Sequence, residues 1–183
     1  MGGFDHLEFL DRPVERPPHP AMLDDDVLLG DCSIERGRVG GPGGQRRNKV
    51  ETAVALTHAP TALTAQASER RSVVENKRVA LRRLRLRLAT EHRVALPAGD
   101  VRTTLWRERT RSGRIVCNPS HRDYPSLLAE ALDIIVDAGF DLQTAAKRLE
   151  VSATQLTKLL REHPPALRLV NEHRASGGQR PLR

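Results

Sequence analysis

Aromatic side chains are scarce in this chain. Phe, Trp and Tyr together make up 3% of its 183 residues, with a single Trp and a single Tyr. Large rings carry much of the burial in most cores, so the cores here must be aliphatic and modest. Cysteine is nearly absent as well. Cys32 and Cys117 are far apart and form no Cys-x-x-Cys, which excludes a disulfide framework or a zinc knuckle and suits a reducing compartment. No apolar run is long enough to span a bilayer or to act as a signal peptide, so no membrane partner is expected and the expected location is the cytoplasm. Neither a Ser-His-Asp set nor a metal-ligand cluster stands out, and no cofactor is expected.

Negative charge is missing from one region in particular. The chain has a net charge of +7 and a pI near 10.4. Residues 68–114 hold 14 basic and 5 acidic side chains, whereas residues 115–183 hold 9 and 8, and residues 1–30 hold 2 and 7. A positive field of this kind points to a polyanionic partner.

The chain is organised around the stretch from Arg38 to Lys49, Arg-Val-Gly-Gly-Pro-Gly-Gly-Gln-Arg-Arg-Asn-Lys. Four glycines around Pro42 predict a loop with bare backbone N–H groups, because glycine accepts positive φ and lets another backbone come close. The dinucleotide fingerprint fails, since Arg46 stands where its third glycine would be. A phosphate loop fails too, since Lys49 is followed by Val50. What remains is a Gly43-Gly44-Gln45 tip followed by Arg46, Arg47, Asn48 and Lys49, a basic shoulder aimed at something anionic. Ser176-Gly177-Gly178-Gln179 repeats the tripeptide near the other end without the proline or the Asn-Lys pair, and reads as tail or coincidence.

Around the loop the pattern predicts a small α+β unit. Residues 1–23 read as a disordered, proline-rich leader. Asp24-Asp25-Asp26 open a short helix that Gly30 ends. Cys32–Arg38 and Thr52–His58 read as an antiparallel strand pair, with Cys32 and Ile34 on one side of the first, and Leu63–Ala67 reads as a third strand. Glu69–Thr90 reads as one long helix whose stripe Val74, Lys77, Leu81, Leu84 and Leu88 packs on the sheet. Its arginines either form a solvated face or contact an RNA backbone, and the shortage of acidic partners favours the second.

Residues 97–118 read as a basic linker around Trp106, which either stacks on an unpaired base or packs on a neighbouring helix. Residues 119–183 read as a small all-α module: a helix over Ser126–Ala138, a helix over 142–149 capped by Asp141, a helix over 153–163 capped by Ser152, and a short fourth over Ala166–Arg174. Ala145-Ala146, Leu149, Val151-Ser152, Leu156 and Leu159-Leu160 give it a helix-turn-helix pattern, with Glu150 where glycine is common. The second helix of that pattern would present Thr154, Gln155, Lys158 and Arg161. Its near-neutral charge points to docking rather than to strong independent DNA binding.

Three blocks in order carry a resemblance. Gly41-Pro42-Gly43-Gly44-Gln45 with Asn48-Lys49, then Thr52–Thr61, then Arg70-Arg71-Ser72 with Asn76–Leu81, are similar to the catalytic region of class I peptide chain release factors. The similarity covers about Asp31 to Ala89. Gly40 stands where the family has a small polar residue, and Arg47 where it has valine. The resemblance implies residues 24–96 as the catalytic domain, and hydrolysis of the ester joining a nascent peptide to tRNA at the large ribosomal subunit. It assigns Gly43, Gly44 and Gln45 to catalysis, with the Gln45 backbone N–H as donor to developing charge. It assigns Arg38, Arg46, Arg47, Asn48, Lys49, Arg70, Arg71, Lys77, Arg78, Arg82 and Arg85 to RNA. The implied partners are large-subunit rRNA and peptidyl-tRNA, with Gln45 a candidate for the family's glutamine methyltransferase and a monomer as the default state.

Full stop-codon decoders are longer and carry a codon-reading domain. Residues 1–30 are too short and too proline-rich for such a domain, and the residues after Arg111 read as a compact helical unit, so the chain resembles the short, codon-independent members that rescue stalled ribosomes. The alternative is a non-enzymatic RNA- or DNA-binding regulator that uses the basic helix and the helix-turn-helix.

Overall fold

A computed structural model describes residues 16–37 and 52–183. The chain forms two compact units, one of residues 19–92 and one of residues 93–183 together with the segment before His19. The observed architecture is α+β, with the sheet in the first unit and most of the helix in the second.

In the first unit, a 3-10 turn at Pro20–Met22 leads to helix α1 (Asp25–Gly30). Strands β1 (Cys32–Gly37), β2 (Ala53–His58) and β3 (Leu63–Ala67) follow, and then helix α2 (Val73–Glu91). The sheet is antiparallel in the order β1-β2-β3, with Gly37 opposite Ala53 and Val54 opposite Ala67. Val54, Leu56 and His58 alternate inward along β2, and Ala65 and Ala67 do so along β3. This period-2 pattern gives the sheet one apolar face, which α2 covers at β2 and β3. Ser72 starts α2, its Oγ accepting from the Glu75 N–H. Ser-x-x-Glu at this place is the sequence signature of a helix start, so the helix begins at Val73 rather than at Glu69.

Two expectations about faces change. Ile34 is 44% exposed, because β1 is the margin strand and α2 lies over the other two. Val74 is 61% exposed, and the buried stripe of α2 runs instead through Asn76, Ala80, Leu81, Leu84 and Leu88. That stripe keeps i, i+4 spacing from Asn76 to Leu88. An amide had hidden its first position.

Part of the expected leader is built into this unit. His19 is fully buried, with Nδ1 accepting from the Ala21 N–H at 3.0 Å and Nε2 3.1 Å from the His92 carbonyl. Acceptance at Nδ1 fixes the tautomer, so Nε2 is the donor. Arg85 donates to the Ala21 carbonyl at 2.8 Å and to Asp25 at 2.6 Å, which fastens the turn to α2. Residues 1–15 lie outside the described residues.

The second unit holds helix α3 (Thr104–Arg109), a hairpin of β4 (Thr110–Arg111) and β5 (Arg114–Ile115), and helices α4 (Tyr124–Asp137), α5 (Leu142–Arg148), α6 (Ala153–Arg161) and α7 (Pro164–Ser176). α4 is buried from Tyr124 to Ile135, as a central helix with apolar residues on all sides should be. Asp141 and Ser152 cap α5 and α6, accepting from the Gln143 and Gln155 N–H groups. Glu150, between them, has φ +53°, which explains why glycine suits that turn. Residues 97–118, expected as a linker, contain α3 and the hairpin. Trp106 is 1% exposed and its Nε1 donates to the Leu149 carbonyl at 2.9 Å, so it packs within the fold rather than offering a face to a base.

Glu130 and Asp133 are buried on α4. Thr103 donates to Glu130 from both its N–H (2.8 Å) and its hydroxyl (2.5 Å). Arg16 and Arg93 both donate to Asp133, at 2.5 and 3.0 Å. Burial pushes Asp133 up to about 6 against the downward pull of the two guanidinium groups, and burial raises Glu130 as well. A carboxylate removed from water survives as an ion only because these partners replace its hydration.

Candidate functional site

The first unit places the ends of the Gly-rich segment together. Gly37 and Ala53 are direct partners in the β1–β2 register. The segment that carries Gly43, Gly44 and Gln45 thus leaves and re-enters the sheet at one point. Residues 38–51 lie outside the described residues, and with them Arg38, Gly43, Gly44, Gln45, Arg46, Arg47, Asn48 and Lys49.

Asn76 ties that point to the basic helix. Its side chain is fully buried. Nδ2 donates to the Thr52 carbonyl at 2.6 Å and to the Arg70 carbonyl at 3.0 Å, and Oδ1 accepts from the Arg70 N–H at 2.9 Å. One amide therefore holds the residue that ends the Gly-rich segment, the loop before α2 and the first turn of α2. A buried polar group survives only when its bonds are made, and each one left unmade costs ~1–3 kcal/mol. The residue stands in one of the resembling blocks, yet the sequence showed no role for it. The available signal was an amide at the head of a buried helical stripe.

The basic side chains divide by what they touch. Arg83 donates to the Gln66 carbonyl at 2.7 Å and pairs with Glu69. Arg87 pairs with Glu91 at 2.7 Å and donates to the Thr64 carbonyl. These two stitch α2 to β3. Their hydrogen bonds hold Glu69 down to about 2 and lower Glu91. Arg85, expected at RNA, is committed to the turn and Asp25, with its side chain 12% exposed. Arg82 is half-buried. Arg70, Arg71 and Arg78 are exposed and Lys77 is half-buried. None of these four side chains pairs with a carboxylate among the described residues. Arg70 and Arg71 lie just before α2, and Lys77 and Arg78 lie in its first two turns.

Nucleophilic chemistry finds little support elsewhere in the described residues. Cys32 and Cys117 are free and half-buried, and burial raises both thiols, the opposite of an activated thiolate. His58 is buried with its Nδ1 on the Thr61 hydroxyl, and burial lowers its pKa. It serves the β2–β3 turn. The second Gly-Gly-Gln ends α7: Gly178 has φ +69° and the Gln179 N–H donates to the Arg174 carbonyl at 2.8 Å. Glycine there is a helix-terminating residue.

A small antiparallel sheet, a Gly-rich segment that leaves and re-enters it at one point and a basic helix across its face define an α+β unit. The RF-1 domain family matches residues 25–116. The chain is 44% identical over 71 residues to the mitochondrial peptide chain release factor 1 of Bos taurus, covering 39% of this chain and 16% of that protein. It is 42% identical over 72 residues to peptide chain release factor 1 of Symbiobacterium thermophilum, covering 39% and 20%. It is 31% identical over 145 residues to that of Streptomyces coelicolor, covering 71% and 40%. The chain belongs to the class I peptide chain release factor family. It spans between 16% and 40% of the length of these relatives.

Proposed function

We propose that this protein releases nascent peptides from the ribosome by hydrolysing the peptidyl-tRNA ester, without reading a codon. The observation that carries the reading is family membership across residues 25–116, with the Gly41–Lys49 block set between the paired strand ends Gly37 and Ala53. In the reaction, water adds to the ester carbonyl carbon, and negative charge develops first on the carbonyl oxygen and then on the departing ribose oxygen. The bond to the ribose breaks, and the proton given up by water ends on the ribose hydroxyl. The Gln45 backbone N–H donates to the developing charge at little reorganisation cost. Its side chain shapes the pocket and excludes nucleophiles larger than water. Gly43 and Gly44 supply the backbone geometry, since a Cβ would block approach. Ribosomal RNA and the substrate ribose contribute much of the rate, so a protein tip with one donor suffices.

In this reading residues 24–96 carry the chemistry. Arg38, Arg46, Arg47, Asn48, Lys49, Arg70, Arg71, Lys77, Arg78 and Arg82 meet rRNA, and Arg85 supports α2 from behind. The protein works in the cytoplasm as a monomer, and Gln45 is the residue a glutamine methyltransferase would modify. The reading of codon independence starts from residues 119–183, which fold as helices α4, α5, α6 and α7 in a helix-turn-helix pattern.

The test is peptide release from purified ribosomes holding peptidyl-tRNA, with a stop codon, a sense codon or no codon in the A site. Release from the empty A site is expected. Gln45→Ala keeps the backbone N–H but removes the side chain that shapes the pocket around it, and should lower release at least ~100-fold, the scale of misplacing one transition-state donor, with ribosome binding retained. Release only on a stop codon would overturn codon independence, and undiminished release by Gln45→Ala would overturn the assignment of the tip.

A further inference from the structure

The hairpin β4–β5 was not foreseen in the sequence, and it lies against the helix-turn-helix. The Ile115 N–H donates to Gln155 Oε1, on the first turn of α6, at 3.3 Å. At the hairpin tip Gly113 has φ +71°, and a Cβ there would lie 4.0 Å from the Glu150 carbonyl in the α5–α6 turn. Arg111 and Arg114 are direct partners across the tip. On α6, Thr154, Lys158 and Arg161 are exposed at i, i+4 and i+7, a single outward stripe beside Gln155.

Ion pairing sorts the arginines of this unit. Arg102 and Arg107 pair with Asp100, Arg109 and Arg122 with Asp123, and Arg148 with Asp137. Arg111, Arg114, Lys158 and Arg161 are all exposed, and none pairs with a carboxylate among the described residues. Lys147, Arg168, Arg180 and Arg183 are likewise exposed and without a carboxylate partner among the described residues, but only the first four stand on the hairpin tip and on the helix that the hairpin touches.

We infer that the hairpin and α6 together form a second polyanion-binding surface, and that its ligand is the phosphate backbone of an RNA duplex. Charge complementarity sets the class of ligand. The mode of recognition follows from what the surface lacks. Base reading in a DNA groove rests on long amide or guanidinium side chains on the recognition helix. Gln155, the one amide on this face, has its oxygen held by the hairpin, which takes away an adenine-reading amide, and Lys158 and Arg161 remain as long cationic side chains that serve phosphate contact. Duplex RNA is recognised by phosphate spacing and shape rather than by base edges, which this surface can do. Only the preference for RNA over DNA rests on the ribosomal reading above; the surface itself does not.

Binding of the full chain to a 20-base-pair RNA duplex, the same sequence as a DNA duplex and an unstructured 20-nucleotide RNA tests this by fluorescence anisotropy across a salt series. Replacing Arg111, Arg114, Lys158 and Arg161 by Ala should weaken RNA-duplex binding at least ~10-fold and flatten the salt slope by about 3, near one for each phosphate no longer neutralised, with little effect on the single strand. Arg114→Glu alone, a single exposed position, should give the same direction and guards against misfolding of the quadruple variant. Gln45→Ala should bind the duplex as wild type does. Unchanged duplex affinity and slope in both surface variants would overturn the inference, and so would tighter binding of wild type to the DNA duplex than to the RNA. Loss of duplex binding in the surface variants supports it whether or not Gln45→Ala abolishes peptide release, so the two readings fail separately.

Discussion

The two units reach a positive surface by different routes. In the sheet unit the paired arginines are structural: Arg83 and Arg87 tie α2 to β3, and Arg85 ties it to the turn at Ala21. Arg36 on β1 is left over, and Arg70, Arg71, Lys77 and Arg78 gather at the start of α2, the end that Asn76 fastens to Thr52. In the helical unit the pairs are spread over α3, α4, α5 and the loops, and cations without a carboxylate partner stand on the hairpin and α6 as well as at Lys147, Arg168, Arg180 and Arg183. Composition alone hides this parallel. Residues 115–183 are nearly neutral, with 9 basic and 8 acidic side chains, but residues 93–183 hold 15 and 10. The difference is residues 93–114, which hold 6 basic and 2 acidic side chains and fold with the helices that follow them. Charge has to be counted over folded units before it says anything about a partner.

The interiors differ as well. The sheet unit buries one amide knot, whereas the helical unit buries a four-member ionic cluster. Asp133→Ala is the strongest way to break that contrast. It leaves Arg16 and Arg93 without their shared carboxylate, and removing one partner of a buried ionic set typically costs about 3–5 kcal/mol. Chemical denaturation at pH 7, followed by Trp106 fluorescence, should show this loss in the helical unit. A loss below ~1 kcal/mol would show that water replaces the carboxylate.

Asn76→Ala comes next. It strips partners from the Thr52 carbonyl and from both backbone groups of Arg70, and an expected cost of about 2–3 kcal/mol follows from the unsatisfied groups. Hydrogen exchange should show the loss in β2 and α2 and leave α4 unchanged. Peptide release should fall along with stability, since the root of the Gly-rich segment loses its anchor.

The ionic cluster also predicts a pH dependence confined to the helical unit. The folded pKa of Asp133 lies near 6, above its ordinary 3.8. The folded state therefore holds a proton that the unfolded state has lost between about pH 4 and 6. Asp133's contribution is complete below pH 4 and declines as pH rises to 6. Urea midpoints of the wild type should fall across this window from this group, and Asp133→Asn should flatten the profile.

The smallest effect is Glu150→Gly. It relieves a left-handed backbone that costs a non-glycine residue ~1–2 kcal/mol, and it gives up the ion pair that the exposed Glu150 carboxylate makes with Arg102, worth ~0–1 kcal/mol. A gain of under ~1 kcal/mol is expected, seen as a small rise in midpoint for the helical unit alone. A net loss would show that the pair with Arg102 matters more than the turn geometry.

Much of this molecule was legible in its sequence. The strand over Thr52–His58 and the caps at Asp141 and Ser152 each express a local rule of one period or one near neighbour, and the Ser72-x-x-Glu75 start is of the same kind, though the sequence reading began the helix at Glu69. Family membership was legible for the same reason, since it lies in three short contiguous blocks. Tertiary structure decided what those rules cannot reach. Asn76 bonds to Thr52 across 24 positions and Trp106 to Leu149 across 43. Arg16 and Arg93 meet at Asp133 from 117 and 40 positions away. Which arginine is spent inside the fold and which is left for a ligand is set by what lies opposite it in space. A charged side chain takes its role from its partner, and in this chain the deciding partners are distant in sequence.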